Sequence, residues 1–248
     1  MTQIKICGFT DPKEAAFISY PDVSYMGMVL FFEKSKRNIS LETAEAILRA
    51  ADPRIKKVAV VVSPSLAQAE EIEKAGFDYM QVHGVLGAEV LSMTRLPIIR
   101  AYNGKAEEEE DPRICAHLFD AVEPGSGKAF DWKRLAEKKR KKPWFLAGGL
   151  TAANVGRAIS LIHPDVVDVS SGVEYTDRKG KDPEKIAAFI QAAKKADAGC
   201  RAKEASFRYH GKHILPSRPA GSIGSLDPDP KPHTFLLILN KKLLTHIL

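Results

Sequence analysis

Cys7 ends the short apolar run Ile4-Lys5-Ile6-Cys7, and Gly8 follows it, with the helix-starting string Thr10-Asp11-Pro12 close behind. A thiol at such a junction is a base or nucleophile when its pKa is drawn toward neutrality, and a packing residue otherwise. Two later apolar runs end in small residues, one in Gly148-Gly149 and one in Ser170-Ser171-Gly172. Turns of this kind bare backbone N–H groups to an anion, and a side chain there would hold a phosphate away. Either turn alone is a common tight turn, but the pair points to a phosphate site. Arg37 closes the basic stretch Lys34-Ser35-Lys36-Arg37, and its planar fork suits a carboxylate better than a lysine does. Gln81 and His83 end a further run, and Asp168 stands just ahead of the Ser-Ser-Gly turn, so all three are candidates to line a ligand site. Gly125-Ser126-Gly127-Lys128 is not a nucleotide-binding P-loop, because position 122 is Val and position 129 is Ala.

These residues share one site only if the ends of their runs meet. Strand patterns fall at 4–8, 25–31, 57–62, 79–84, 97–102, 118–122, 143–147 and 166–169. Helical patterns lie between and after them at 12–20, 40–51, 65–75, 88–93, 131–141, 154–162 and 182–195. Strands alternating with helices predict an α/β fold with a parallel sheet and right-handed crossovers. Eight such units over residues 1–195 predict a single (β/α)8 TIM barrel. The first strand has no earlier neighbour, and closure of the barrel supplies one by pairing it with the eighth. An open doubly wound sheet would leave Cys7 without a defined site. In the barrel, the strand ends carrying Cys7, His83, Asp168 and the small-residue turns all face one mouth.

Residues 196–248 break the pattern, with scattered Gly, Pro and Ser, and are expected to form an irregular C-terminal extension, loop or disordered. Its one apolar segment, 234–239, is too short to span a bilayer. Of 37 Lys/Arg and 31 Asp/Glu, 8 and 4 lie in this extension, which leaves 29 and 27 in the body. A body so nearly neutral argues against a nucleic-acid binder. Three cysteines, none in a C-x-x-C pair, form neither a disulfide framework nor a zinc knuckle, and no run is apolar for 18 residues. These features predict a soluble cytoplasmic protein with no membrane partner.

Six stretches occur in an order that resembles the phosphoribosylanthranilate isomerases of tryptophan biosynthesis. They are Lys5-Ile6-Cys7-Gly8 with Thr10, Ser35-Lys36-Arg37, Gln81-Val82-His83-Gly84, the string from Gly125 to Trp132, Leu146 to Leu150 with Asn154-Val155, and Val167 to Glu174. Together they cover about residues 3–195. The resemblance implies an Amadori rearrangement of N-(5-phosphoribosyl)anthranilate to 1-(2-carboxyphenylamino)-1-deoxyribulose 5-phosphate. It implies Cys7 as general base, Asp131 as general acid and Arg37 on the anthranilate carboxylate. Ring opening needs an acid at the furanose oxygen, and the resulting iminium needs a base at the adjacent carbon. Lys5 or the iminium charge would help form the thiolate. On this reading Gln81, His83 and Asp168 contact substrate, and Gly148, Gly149, Ser170, Ser171 and Gly172 hold its phosphate. No cofactor and no metal are implied. The expected partner is a small phosphorylated molecule, and the expected assembly a monomer or homodimer. A non-catalytic phosphate-binding barrel and a sugar-phosphate epimerase are the alternatives. Glu33, where members often carry proline, departs from the pattern, and nothing carries over to 196–248.

Overall fold

The computed structural model describes residues 1–103, 111–120, 135 and 140–210, the last ten by their backbone course. The loop 125–131, with Asp131, and the apolar segment 234–239 lie outside the described residues. Eight parallel strands make a closed barrel: β1 Gln3–Cys7, β2 Tyr25–Leu30, β3 Lys56–Val62, β4 Tyr79–His83, β5 Ile98–Asn103, β6 Ile114–Asp120, β7 Trp144–Leu146 and β8 Val166–Val169. Closure comes from β1, which pairs with β2 on one side and β8 on the other. Helices α1 Leu41–Ala50, α2 Leu66–Ala75, α3 Ala88–Met93, α4 Val155–Ile162 and α5 Pro183–His210 lie outside it.

Alternation along β1 decides what faces the mouth. Ile4 and Ile6 join the layer between strands and helices, while Cys7 belongs to the separate cluster inside the barrel with Val29, Val60 and Leu118. Each isoleucine contributes on the order of 2 kcal/mol through burial. A slip of one residue would turn both into the barrel and Lys5 and Cys7 outward, so the outer layer sets the inner one. The registers pair Lys5 with Asp168 and Cys7 with Gly27. Outside, Ser40 caps α1, and a reciprocal Ser65–Gln68 capping box starts α2. The basic loop after β2 folds back through a two-residue strand, Asn38–Ile39, where the Asn38 side chain accepts from the backbone of Phe32 at 2.8 Å. That return sets Arg37 over the barrel mouth.

Several expected boundaries move. The helix expected at 12–20 is a tight 3₁₀ turn, Pro12–Phe17, because the chain is already extended at Ile18, ahead of Pro21. The sixth strand begins at Ile114, not at 118, and runs through Asp120, while its expected end at 122 lies outside the described residues. Cys115 and His117 interrupt the apolar run in sequence, yet His117 is buried edge-on against Tyr102 and Phe119. The boundary expected between 195 and 196 falls inside α5, which continues to His210. Residues 192–205 are rich in Ala and Lys, strong helix formers, and the early part of the extension packs on the barrel. Thr2 donates its backbone N–H to Asp197 at 2.9 Å, and Cys200 packs against the core.

Candidate active site

A cavity of about 430 Å³ opens at the carboxyl ends of the strands, where barrel folds keep their chemistry. Its floor is charged. Lys5 is fully buried, and its Nζ lies 2.8 Å from Oδ2 of Asp168, the neighbour the β1–β8 register dictates. Burial pulls the Lys5 ammonium down, but Asp168 and Cys7 outweigh it and leave it raised, so Lys5 stays charged. Burial pushes the Cys7 thiol above its ordinary value; Lys5 and Lys181 pull it down and Asp168 pushes it up. The net effect is a protonated thiol at rest. Gly27 makes room for this arrangement: a Cβ there would lie 2.8 Å from the Cys7 Sγ and 3.1 Å from the Lys5 Nζ.

On the opposite wall, Gln81 and His83 point inward from β4, with Gln81 Nε2 2.8 Å from His83 Nε2. Burial, then Lys5 and Arg100, lower the His83 pKa to about 4, so the ring is neutral near pH 7. A neutral Nε2 accepts from the Gln81 amide, which turns the Gln81 Oε1 elsewhere. That oxygen and Asp168 Oδ1 are buried with no hydrogen-bond partner among the described residues. Both belong to residues that line the cavity, and an orphaned buried acceptor there calls for a donor from a ligand.

The turns after β7 and β8 supply donors. Gly148 and Gly149 have φ of +88° and +66°, a conformation that L side chains resist. Asn154 braces that turn, donating to the Gly149 carbonyl at 2.9 Å and accepting from the Thr151 N–H at 2.8 Å. Beyond β8 the chain enters the short turn Ser171–Val173. The N–H groups of Gly148, Gly149, Ser171 and Gly172 find no acceptor among the described residues. Free N–H groups from two adjoining turns match an anion.

A family model described as N-(5′-phosphoribosyl)anthranilate (PRA) isomerase matches residues 4–192. The chain belongs to that family. It is 40% identical over 197 residues to the N-(5′-phosphoribosyl)anthranilate isomerase of Streptococcus mutans, covering 79% of this chain and 100% of the relative. Among solved structures, TrpF from Jonesia denitrificans matches with a TM-score of 0.69 and 33% identity, over 79% of this chain and 98% of that one. A phosphoribosyl anthranilate isomerase solved in complex with reduced 1-(o-carboxyphenylamino)-1-deoxyribulose 5-phosphate matches with a TM-score of 0.63 and 30% identity, over 78% of this chain and 99% of that one.

Of the candidate site residues, Cys7, Arg37, Gln81, His83, Gly148, Gly149, Asp168, Ser170 and Ser171 all line this one cavity. Gly172 stands behind it, pressed on the Leu150 carbonyl. Asp131 lies outside the described residues. Sequence reasoning does not single out Asp120, which lines the cavity, nor Glu174 and Lys181, which bond the cavity-lining Arg37 and Ser170. Asp120 sits inside an apolar run and reads as mid-strand, yet it ends β6 at the cavity wall. Glu174 closes a matched stretch, which is its only signal. A second cavity of about 500 Å³ lies at the opposite end of the barrel, between Thr2, Tyr20, Asp22 and Lys194; none of the candidate site residues lines it. No three His, Cys, Asp or Glu side chains converge as metal ligands among the described residues.

Proposed function

We propose that this site isomerises N-(5′-phosphoribosyl)anthranilate by an Amadori rearrangement, with Cys7 as base and Asp131 as acid. One observation carries the reading. A thiol, a guanidinium fork and two turns whose N–H groups have no acceptor among the described residues meet in a single cavity, as a ligand with an acidic carbon, a carboxylate and a phosphate requires. The turns after β7 and β8 take the phosphate, Arg37 takes the carboxylate, and Gln81 Oε1 and Asp168 Oδ1 accept from ribose hydroxyls. Asp131 protonates the furanose oxygen, the ring opens, and the nitrogen lone pair forms the iminium. Cys7, as thiolate, then takes the proton from the adjacent carbon. The freed electron pair forms the enolamine and neutralises the nitrogen; return of a proton to the first carbon, with the enol hydroxyl giving up its own proton to the Asp131 carboxylate left by ring opening, yields the ketone.

Burial keeps the resting thiol protonated, and arrival of a cationic iminium favours the thiolate at the step that needs it. Lys5 holds a charge beside that thiol and Asp168 holds Lys5. His83, neutral and bonded to Gln81, orients the amide. A silent barrel leaves this buried ion pair beneath the thiol without a use, and the substrate of a sugar-phosphate epimerase brings no carboxylate to Arg37. The protein works in the cytoplasm as a monomer or homodimer on this reading. The test is the loss of anthranilate-type fluorescence when protein meets fresh phosphoribosylanthranilate. Cys7→Ala and Asp131→Ala are each expected to lower turnover about 10²–10⁴-fold. No turnover by folded wild-type protein overturns the function. Near-wild-type turnover by both variants overturns the residue assignment.

A further inference from the structure

Glu174 has no part in the chemistry above, yet its carboxylate meets three cations, one of them the cavity-lining Arg37. Arg37 donates to it twice, from Nε to Oε1 and from Nη2 to Oε2, the latter at 3.1 Å. Lys36 Nζ lies 2.9 Å from Oε2, and Lys181 Nζ lies 3.2 Å from Oε1. Burial would push the Glu174 carboxyl up, but Arg37, Lys181 and Lys36 bring it down to about 2, so it is ionised. The buried Lys181 ammonium also reaches the Ser170 carbonyl at 3.2 Å. Ser170 in turn donates its hydroxyl to the Cys7 carbonyl at 2.9 Å.

A guanidinium carries five N–H donors in one plane. Glu174 takes two of them along the Nε–Nη2 edge, and no described residue holds the Nη1–Nη2 edge. Arg37 lines the cavity, so that second edge is left for a ligand. Two carboxylates on one guanidinium repel each other unless further cations stand by, and Lys36 and Lys181 supply them: three cations surround one anion here. The isolated bridge between Glu174 and Lys181 fixes these two residues relative to each other just past the phosphate turn.

We propose that Glu174 is a positioning residue for carboxylate recognition: it clamps one edge of Arg37 so that the other edge meets the substrate's carboxylate, and through Lys181 it ties that edge to the Ser170 turn. This rests on the function proposed above and adds the residue that sets its selectivity. Glu174→Gln keeps the shape but turns an N–H₂ group toward a guanidinium, while Glu174→Asp keeps the charge at shorter reach. The readout is selectivity: kcat/KM for phosphoribosylanthranilate divided by that for the phosphoribosyl derivative of aniline, which lacks the carboxylate. The ratio is expected to fall about tenfold in Glu174→Gln, mainly through KM, with partial recovery in Glu174→Asp. A loss of folding or general packing lowers both rates and leaves the ratio alone, so an unchanged ratio in both variants overturns the proposal. Should Glu174→Gln not fold, the ratio in Glu174→Asp decides by the same rule: a fall supports the clamp and no change overturns it. A wild type inert on phosphoribosylanthranilate overturns the functional reading and this proposal with it.

Discussion

Replacement of Gly172 by Ala tests whether the turns after β7 and β8 act as one phosphate cradle. A Cβ at 172 would lie 2.0 Å from the Leu150 carbonyl oxygen, 3.1 Å from its carbon and 3.2 Å from Cγ2 of Val169. Ordinary carbon–oxygen contacts sit near 3.3 Å, so the two turns must part by about 1.3 Å. The obstacle is backbone, which no rotamer change relieves. Overpacking of this kind costs about 1–3 kcal/mol, or roughly 4–8 °C in Tm at the middle of that range. The effect on binding is larger, because a displacement near 1 Å in a positioned site costs about 10²-fold. The assay is steady-state turnover of phosphoribosylanthranilate with inorganic phosphate as competitive inhibitor. KM and the phosphate inhibition constant are expected to rise together by about 10²-fold, since both read the same N–H groups. A melting loss with both constants unchanged would refute the phosphate assignment while leaving the packing argument intact. Unchanged melting and unchanged constants would refute both.

The remaining expectations concern charge and helix length. Because burial raises the Cys7 pKa in the free protein, kcat/KM should climb with pH through the neutral range and beyond, while kcat, read in the cationic complex, should level off at lower pH; superimposed profiles would contradict this. Lys5→Met leaves Asp168 buried and unpaired. It should cost about 3 kcal/mol in denaturant unfolding. It should also lower kcat/KM at least about tenfold and move the rising limb to higher pH, and an unmoved limb would show that Lys5 does not act on the thiol. Gly199 lies within α5, with nothing within 4 Å of where its Cβ would be. Gly199→Ala should therefore stabilise by about 0.5–1 kcal/mol, a rise of roughly 2 °C in Tm. A fall would mean that the helix does not continue through this position.

Much of the barrel is legible along the chain because its signals are local. Strand β8 and helix α3 fall at their expected residues, since apolar runs bounded by Gly, Ser and caps depend on neighbours in sequence. The start of the sixth strand is not legible, because Cys115 and His117 look polar along the chain. Only the packing of Tyr102 and Phe119 around the imidazole makes that stretch a buried strand. The end of α5 differs for the opposite reason. Its helix formers are plain in the sequence, but the barrel pattern stops before the helix does.

What the sequence determined by itself was the inventory: eight alternating units, a thiol at a strand end, a basic fork and two small-residue turns, each readable from residue type and spacing. What only the tertiary structure decided was charge and distance. Register across the β1–β8 seam sets Lys5 against Asp168, 163 residues away in the chain, at 2.8 Å. That pairing keeps a buried lysine charged, and burial raises the pKa of the neighbouring Cys7 thiol. Along the chain Arg37 reads as a fork suited to a carboxylate, and in the fold one edge of that fork is held by Glu174. Pairings of this sort follow from closure of the sheet and from desolvation, both properties of the assembled barrel that no local spacing encodes.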